Sequence, residues 1–150
     1  MVEAILGSDL VSRLVDSPHK WSRAERRFVE VSLFEFPSQQ PESVVWRKYA
    51  SKIAAVHALG CAMQATKREA NPNWTYEGAV STKVSAIRDI KNLAGDGFFV
   101  EHVPEEGQHH AHVGYVFSAG PENLKKRKID LKEFLRNAFF AGGVEQHECA

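Results

Sequence analysis

Apolar residues recur at helical spacing in several stretches of the chain and crowd into short β-branched or aromatic runs in others. Val2, Leu6, Leu10 and Leu14, flanked by Ile5, Val11 and Val15, form one stripe, interrupted at Gly7-Ser8 and stopped by Ser17-Pro18. That spacing predicts a helix over 2–16. The run Phe28 to Phe36 carries Glu30, Ser32 and Glu35 among aromatic and β-branched residues and closes at Pro37, the pattern of a strand. Val45, Tyr49, Ile53, Val56, Leu59 and Met63 recur every three or four positions and predict the longest helix. It must end by Asn71-Pro72, because proline disfavours helical backbone in the residue before it and has no N–H to donate. Val80, Val84, Ile87, Ile90, Leu93 and Ala94 predict a second interior helix over 80–94, ended by Gly95-Asp96-Gly97.

Two further apolar runs, Phe98 to Val103 and Ala111 to Phe117, are separated by Pro104-Glu105-Glu106-Gly107-Gln108, a loop of hairpin length and composition. Asp130 with Glu133 three residues on makes a capping box for a last helix over 130–141, whose face is Leu131, Phe134, Leu135, Ala138 and Phe139. Gly142-Gly143 ends that stripe, and residues 142–150 have no apolar periodicity to bury, so this tail is expected to be mobile. The elements describe a single α+β domain over 1–150, in the order helix, strand, helix, helix, hairpin, helix.

Composition supports a chain that folds alone. Of 150 residues, 43% are hydrophobic, enough to line a core at this length. Nineteen basic residues balance nineteen acidic ones, so no bulk charge draws the chain to nucleic acid or to an anionic membrane. No apolar run approaches the roughly 20 residues of a membrane span, and Met1-Val2-Glu3-Ala4 does not begin a signal peptide; the expected location is the cytoplasm. The only cysteines are Cys61, inside a helical pattern, and Cys149, in the polar tail. They are expected to remain unbridged. No phosphate-binding loop and no nucleophile elbow occurs.

The junction Leu93-Ala94-Gly95-Asp96-Gly97-Phe98-Phe99-Val100-Glu101, following two predicted helices and opening a hairpin, resembles the winged helix-turn-helix family over about 41–117. The resemblance implies a small DNA-binding regulator acting on double-stranded DNA, with a reading helix that presents Ser81, Thr82, Lys83, Ser85, Arg88, Lys91 and Asn92. Those residue types suit the role: hydroxyls and Asn meet base edges, and cations meet phosphate. The flanking helices 2–16 and 130–141 then suggest a homodimer. Against this reading, Glu105 and Glu106 in the hairpin loop would repel the DNA backbone. The four cations Lys125 to Lys128 read as a solvated linker, with acidic residues on either side.

Histidines supply a second chemistry. With a five-residue loop, His102 faces His110, and strand alternation places His102, His110 and His112 on one face of the hairpin. Two imidazoles at i and i+2 with a third across the ladder suit zinc, leaving one position open for water. Such a site points to a metal-assisted hydrolase, with Glu101, Glu105 or Glu106 as base. A slip of one residue in register would separate the three. A protein-interaction module without catalysis is the remaining reading.

Overall fold

The computed structural model describes residues 1–28 and 33–150. In chain order its regular elements are β1 (Leu10–Ser17), β2 (Trp21–Ser22), β3 (Arg27–Phe28), β4 (Glu42–Trp46), α1 (Ile53–Lys67), β5 (Thr75–Lys83), α2 (Val84–Arg88), β6 (Gly97–His102), β7 (His110–Val116), α3 (Leu124–Phe140) and β8 (Glu145–Gln146). The fold is mixed α+β. Six strands form one antiparallel sheet in the order β6-β7-β4-β1-β5-β8, and β2 and β3 form a separate small hairpin.

The sheet is covered on both faces, and this explains most of its departures from the expected elements. On β1, Val11 and Val15 join the larger core with Leu33, Phe34, Phe36, Trp46, Phe98, Val100 and, from α3, Leu131, Leu135 and Phe139. Leu14, on the opposite face, packs with Val45, Ala79 and the Ile53, Val56 and Leu59 side chains of α1. A central strand buried on both faces reads as a run of apolar residues without alternation, and in residues 10–15 that run mimicked a helical stripe. Val2 and Leu6, which completed the stripe, are exposed.

The same confusion affected two other segments. The stripe assigned to one helix from Val45 onward divides into β4, whose Val44, Val45 and Trp46 are buried, and α1, which starts at Ile53. The helix expected over 80–94 is instead β5, paired with β1 along its length, followed by the five-residue α2. β-Branched residues such as Val80 and Thr82 favour the extended chain once a partner strand is present. The two adjacent helices of the winged-helix expectation are therefore absent from the described residues: α1 and α2 are separated by β5. The strand expected over Phe28–Phe36 includes 29–32, which lie outside the described residues.

The hairpin formed by β6 and β7 and the last helix match their predicted places. α3 begins six residues before Asp130, however, because the cation run belongs to it and is no linker. Arg127, Leu131, Leu135 and Phe139 fall at four-residue intervals along its buried side, while Phe134 is 43% exposed. Arg127 reaches the fully buried Asp96 with two bonds, Nε to Oδ2 at 2.7 Å and Nη2 to Oδ1 at 2.9 Å. Asn92 Nδ2 and the Ser118 backbone N–H donate to the same carboxylate. This bidentate pair docks the start of α3 against the loop that precedes β6.

On the opposite face, α1 lies close to β5 because position 60 has no side chain. A Cβ at Gly60 would come within 2.4 Å of the Tyr76 ring, which is fully buried. The contact is bolted on either side: Gln64 Oε1 accepts from the Tyr76 backbone N–H at 2.9 Å, and the Tyr76 hydroxyl lies 2.8 Å from His57 Nδ1. The C-terminal segment, expected to be mobile, is docked at the sheet edge. β8 pairs with β5 at Gly78 and Ala79, the His147 N–H donates to Glu77 O at 3.0 Å, and Cys149 is joined to Cys61 of α1 by a disulfide. Gly78, at φ +146°, permits this: a Cβ there would lie 2.3 Å from Glu145 O.

Phe139→Ala should destabilise the protein by about 3–5 kcal/mol, the range for emptying a buried phenyl site, and Phe134→Ala by much less, as denaturant unfolding will measure. Arg127's hydrogen bonds hold the Asp96 carboxyl well below the usual carboxylate range. A folded-state value below the unfolded one stabilises above about pH 3.9, and that contribution disappears as pH falls further. The difference in Tm between wild type and Asp96→Asn should therefore be largest at neutral pH and shrink below about pH 4.

Candidate metal centre

α1 packs chiefly on β5, and the neighbouring half of that sheet face, toward β4 and β7, borders a cavity of about 910 Å³. Ser12, Leu14, Ser43 and Val45 form its floor, and Leu59, Met63 and Lys67 of α1 form one wall. Lys20 and Trp74 close another side, and His109 and His110 stand at the edge contributed by the hairpin. The lining thus combines an apolar body with a few hydroxyl and charged groups, among them the Lys20–Asp16 ion pair, the usual character of a small-molecule site.

The hairpin register decides which histidines reach this edge. His102 pairs with Ala111, and Glu101 pairs with His112. This is one residue away from the register of a five-residue loop: the connection runs from Val103 to His109 and contains a 3-10 turn at Pro104–Glu106. Because alternate side chains point to opposite faces, the slip sends His102 away from the other two. It is 3% exposed, lies against Trp46 with ring centroids 4.9 Å apart, and has both nitrogens engaged, by the Glu3 N–H at 3.0 Å and Gln108 O at 2.9 Å. His102 is a packing residue and not a ligand of the expected three-histidine site.

His110 and His112 do share a face, and the loop replaces the missing third group with a carboxylate. The turn carries Glu106 back over β7, so that its Oε2 lies 2.7 Å from His110 Nε2 and 3.2 Å from His112 Nε2. The three potential ligand atoms are all within 4.8 Å of one another. His110 Nε2 also lies 2.8 Å from Ser43 Oγ on β4. Burial pushes the His110 imidazole below its ordinary value, against the pull of Glu106, and so favours the neutral ring that binds metals. Sequence reasoning counted Glu106 as a base and did not recognise it as a ligand. The available signal was the spacing Glu106-x-x-x-His110-x-His112, which becomes a cluster only with the longer loop.

The residues expected to read DNA do not share one element. Ser81, Thr82 and Lys83 end β5, Ser85 and Arg88 lie on α2, and Lys91 and Asn92 lie in the loop beyond. Ser81 Oγ is 2.6 Å from Ser12 Oγ, Arg88 donates to Ile5 O and Val100 O, and Asn92 binds Asp96. Compared with protein-family models, curated proteins and solved structures, the chain shows no significant match to any. Among the described residues no helix is long and apolar enough to cross a membrane.

His110→Ala and His112→Ala should each reduce zinc binding at this cluster, measured by calorimetry on tag-free protein, and Glu106→Gln should weaken it. His102→Gln should leave the stoichiometry unchanged in the folded protein. Equal loss from His102→Gln would restore the three-histidine arrangement.

Proposed function

We propose that the protein is a metal-assisted hydrolase of a small molecule that occupies the cavity beside α1. The observation that carries this reading is the convergence of His110, His112 and Glu106, of which His110 lines the hairpin edge of that cavity. Two imidazoles and one carboxylate are a ligand set of catalytic zinc sites, which keep a fourth position for water. A zinc ion so held would lower the pKa of that water to about 7 and supply hydroxide at neutral pH.

The chain's own residues have separable roles. His110 and Glu106 are set by the turn and by β7; Ser43 Oγ bonds the same His110 Nε2 that faces Glu106, so a bound metal would take the place of that hydrogen bond. Glu101 is directly opposite His112 in the ladder and is exposed. Directly paired positions have Cβ atoms about 4.5–5.5 Å apart, which puts this carboxylate within reach of a water on the cluster, as general base. Leu14, Val45, Leu59 and Met63 would hold an apolar part of the substrate, and Lys67 suits an anionic part, Lys20 being paired with Asp16. Together these features favour an ester, amide or phosphoester with a small apolar group.

DNA reading of the winged-helix kind receives less support, because the segment 81–92 presents no continuous helix face for a major groove. Nothing in the arrangement favours a homodimer over a monomer.

The test is turnover of chromogenic carboxylic and phosphoric esters by the zinc-loaded chain. Wild type should exceed the His110→Ala/His112→Ala double variant, and Glu101→Gln should lower kcat by about 10²–10⁴-fold, the usual contribution of a general base, with zinc content unchanged. Turnover by zinc-loaded wild type no faster than by the double variant overturns the reading.

A further inference from the structure

A second set of metal-ligating residues meets at the other edge of the sheet. His57 and Cys61 are four residues apart on α1 and so share one helix face. His147 and Cys149 are two residues apart in the segment that follows β8, held in place by the bond from His147 N–H to Glu77 O. The Cys61 and Cys149 Cα atoms are 5.6 Å apart. The His57 and His147 rings stack with centroids 4.3 Å apart and planes 12° from parallel. The ligand atoms of Cys61, His147 and Cys149 all lie within 4.8 Å of one another. His57 Nδ1 is 2.8 Å from the Tyr76 hydroxyl, which fixes the ring that stacks on His147.

We propose that Cys61, Cys149 and His147 form a zinc site when the two cysteines are reduced, with the fourth position taken by water. Two thiolates and one imidazole, with water as the fourth donor, make a tetrahedral zinc centre. The disulfide seen in the structure is the oxidised alternative of the same site. In passing from one to the other, a dithiol reductant delivers two electrons and two protons to the Sγ–Sγ bond and is itself oxidised to a disulfide. Zinc then displaces the two thiol protons and bonds to both sulfurs. The C-terminal segment stays tied to α1 in either state, by a covalent bond in one and by metal coordination in the other, and Tyr76 serves both. The convergence explains an otherwise odd placement: the only two cysteines of the chain, 88 residues apart, meet where two histidines also meet.

This site is independent of the cluster at His110 and His112, and cobalt distinguishes them because only thiolates give a near-ultraviolet sulfur-to-cobalt charge-transfer band. The full, tag-free chain is reduced with a phosphine under anaerobic conditions and titrated with Co²⁺. Wild type should develop that band together with the strong visible bands of tetrahedral cobalt, saturating at about one equivalent and disappearing on addition of zinc. The His110→Ala/His112→Ala variant should retain the band in full. Oxidised wild type, Cys61→Ser and Cys149→Ser should lack it, and His147→Ala should weaken it. Should the serine variants fail to fold, alkylation of the reduced wild type by iodoacetamide provides the second measure: zinc should slow modification of both cysteines, and a chelator should restore it. Reduced, folded wild type without the charge-transfer band, persistence of the band in Cys149→Ser, or thiols that zinc does not protect overturns the proposal.

Discussion

The close approach of α1 to β5, made possible by the missing side chain at Gly60 and filled by the Tyr76 ring, determines where everything on that face of the sheet can lie. Any Cβ at position 60 would collide with the ring, so α1 sits at a distance that only glycine allows. Gln64 and His57 then fix its rotation by bonding to the backbone and hydroxyl of the same tyrosine. A helix held over β5 leaves the sheet toward β4 and β7 with a cavity beside it, walled by Leu59, Met63 and Lys67. The same placement turns His57 and Cys61 toward the C-terminal segment. The cavity beside the hairpin and the placement of His57 and Cys61 at the other edge thus both depend on one helix–sheet contact.

The opposite face is organised by a charge pair instead of by a small residue. Burying Asp96 without a partner would be costly, and Arg127 meets it with a planar, two-pronged donor set while Asn92 and Ser118 complete its bonding. The pair holds the first turn of α3 beside the start of the hairpin. From that point Leu131, Leu135 and Phe139 extend along the helix over the core, where Phe139 meets Phe34. A buried pair of this type contributes little net stability relative to a well-packed apolar substitute, but removal of one partner leaves an uncompensated charge. It specifies how α3 is seated.

Chemistry at the hairpin depends on its loop length. With seven residues between His102 and His110, the loop has room for the 3-10 turn that brings Glu106 over His110 and His112. The same length rotates His102 into the core against Trp46. One extra loop residue therefore shifts the register and exchanges an imidazole for a carboxylate in the candidate site.

The hydrophobic pattern by itself determined the mixed α+β class, the presence and approximate limits of the β6–β7 hairpin, and the last helix with its buried Leu131, Leu135 and Phe139. It also marked His110 and His112 as neighbours on one strand face. These features are local: each depends on the spacing of residues within one element or across one short loop. Tertiary structure decided the rest. Residues 10–15 and 75–83 became central strands because apolar layers cover both faces of the sheet, and a strand buried twice loses the alternation that would distinguish it from a helix. Arg127 became a buried anchor because Asp96, distant in sequence, waits opposite it. Residues 145–149 became an edge strand and a partner of α1 because Gly78 leaves room for them. Periodicity reports how many faces of an element are buried, and it contains no information about which distant segment does the burying.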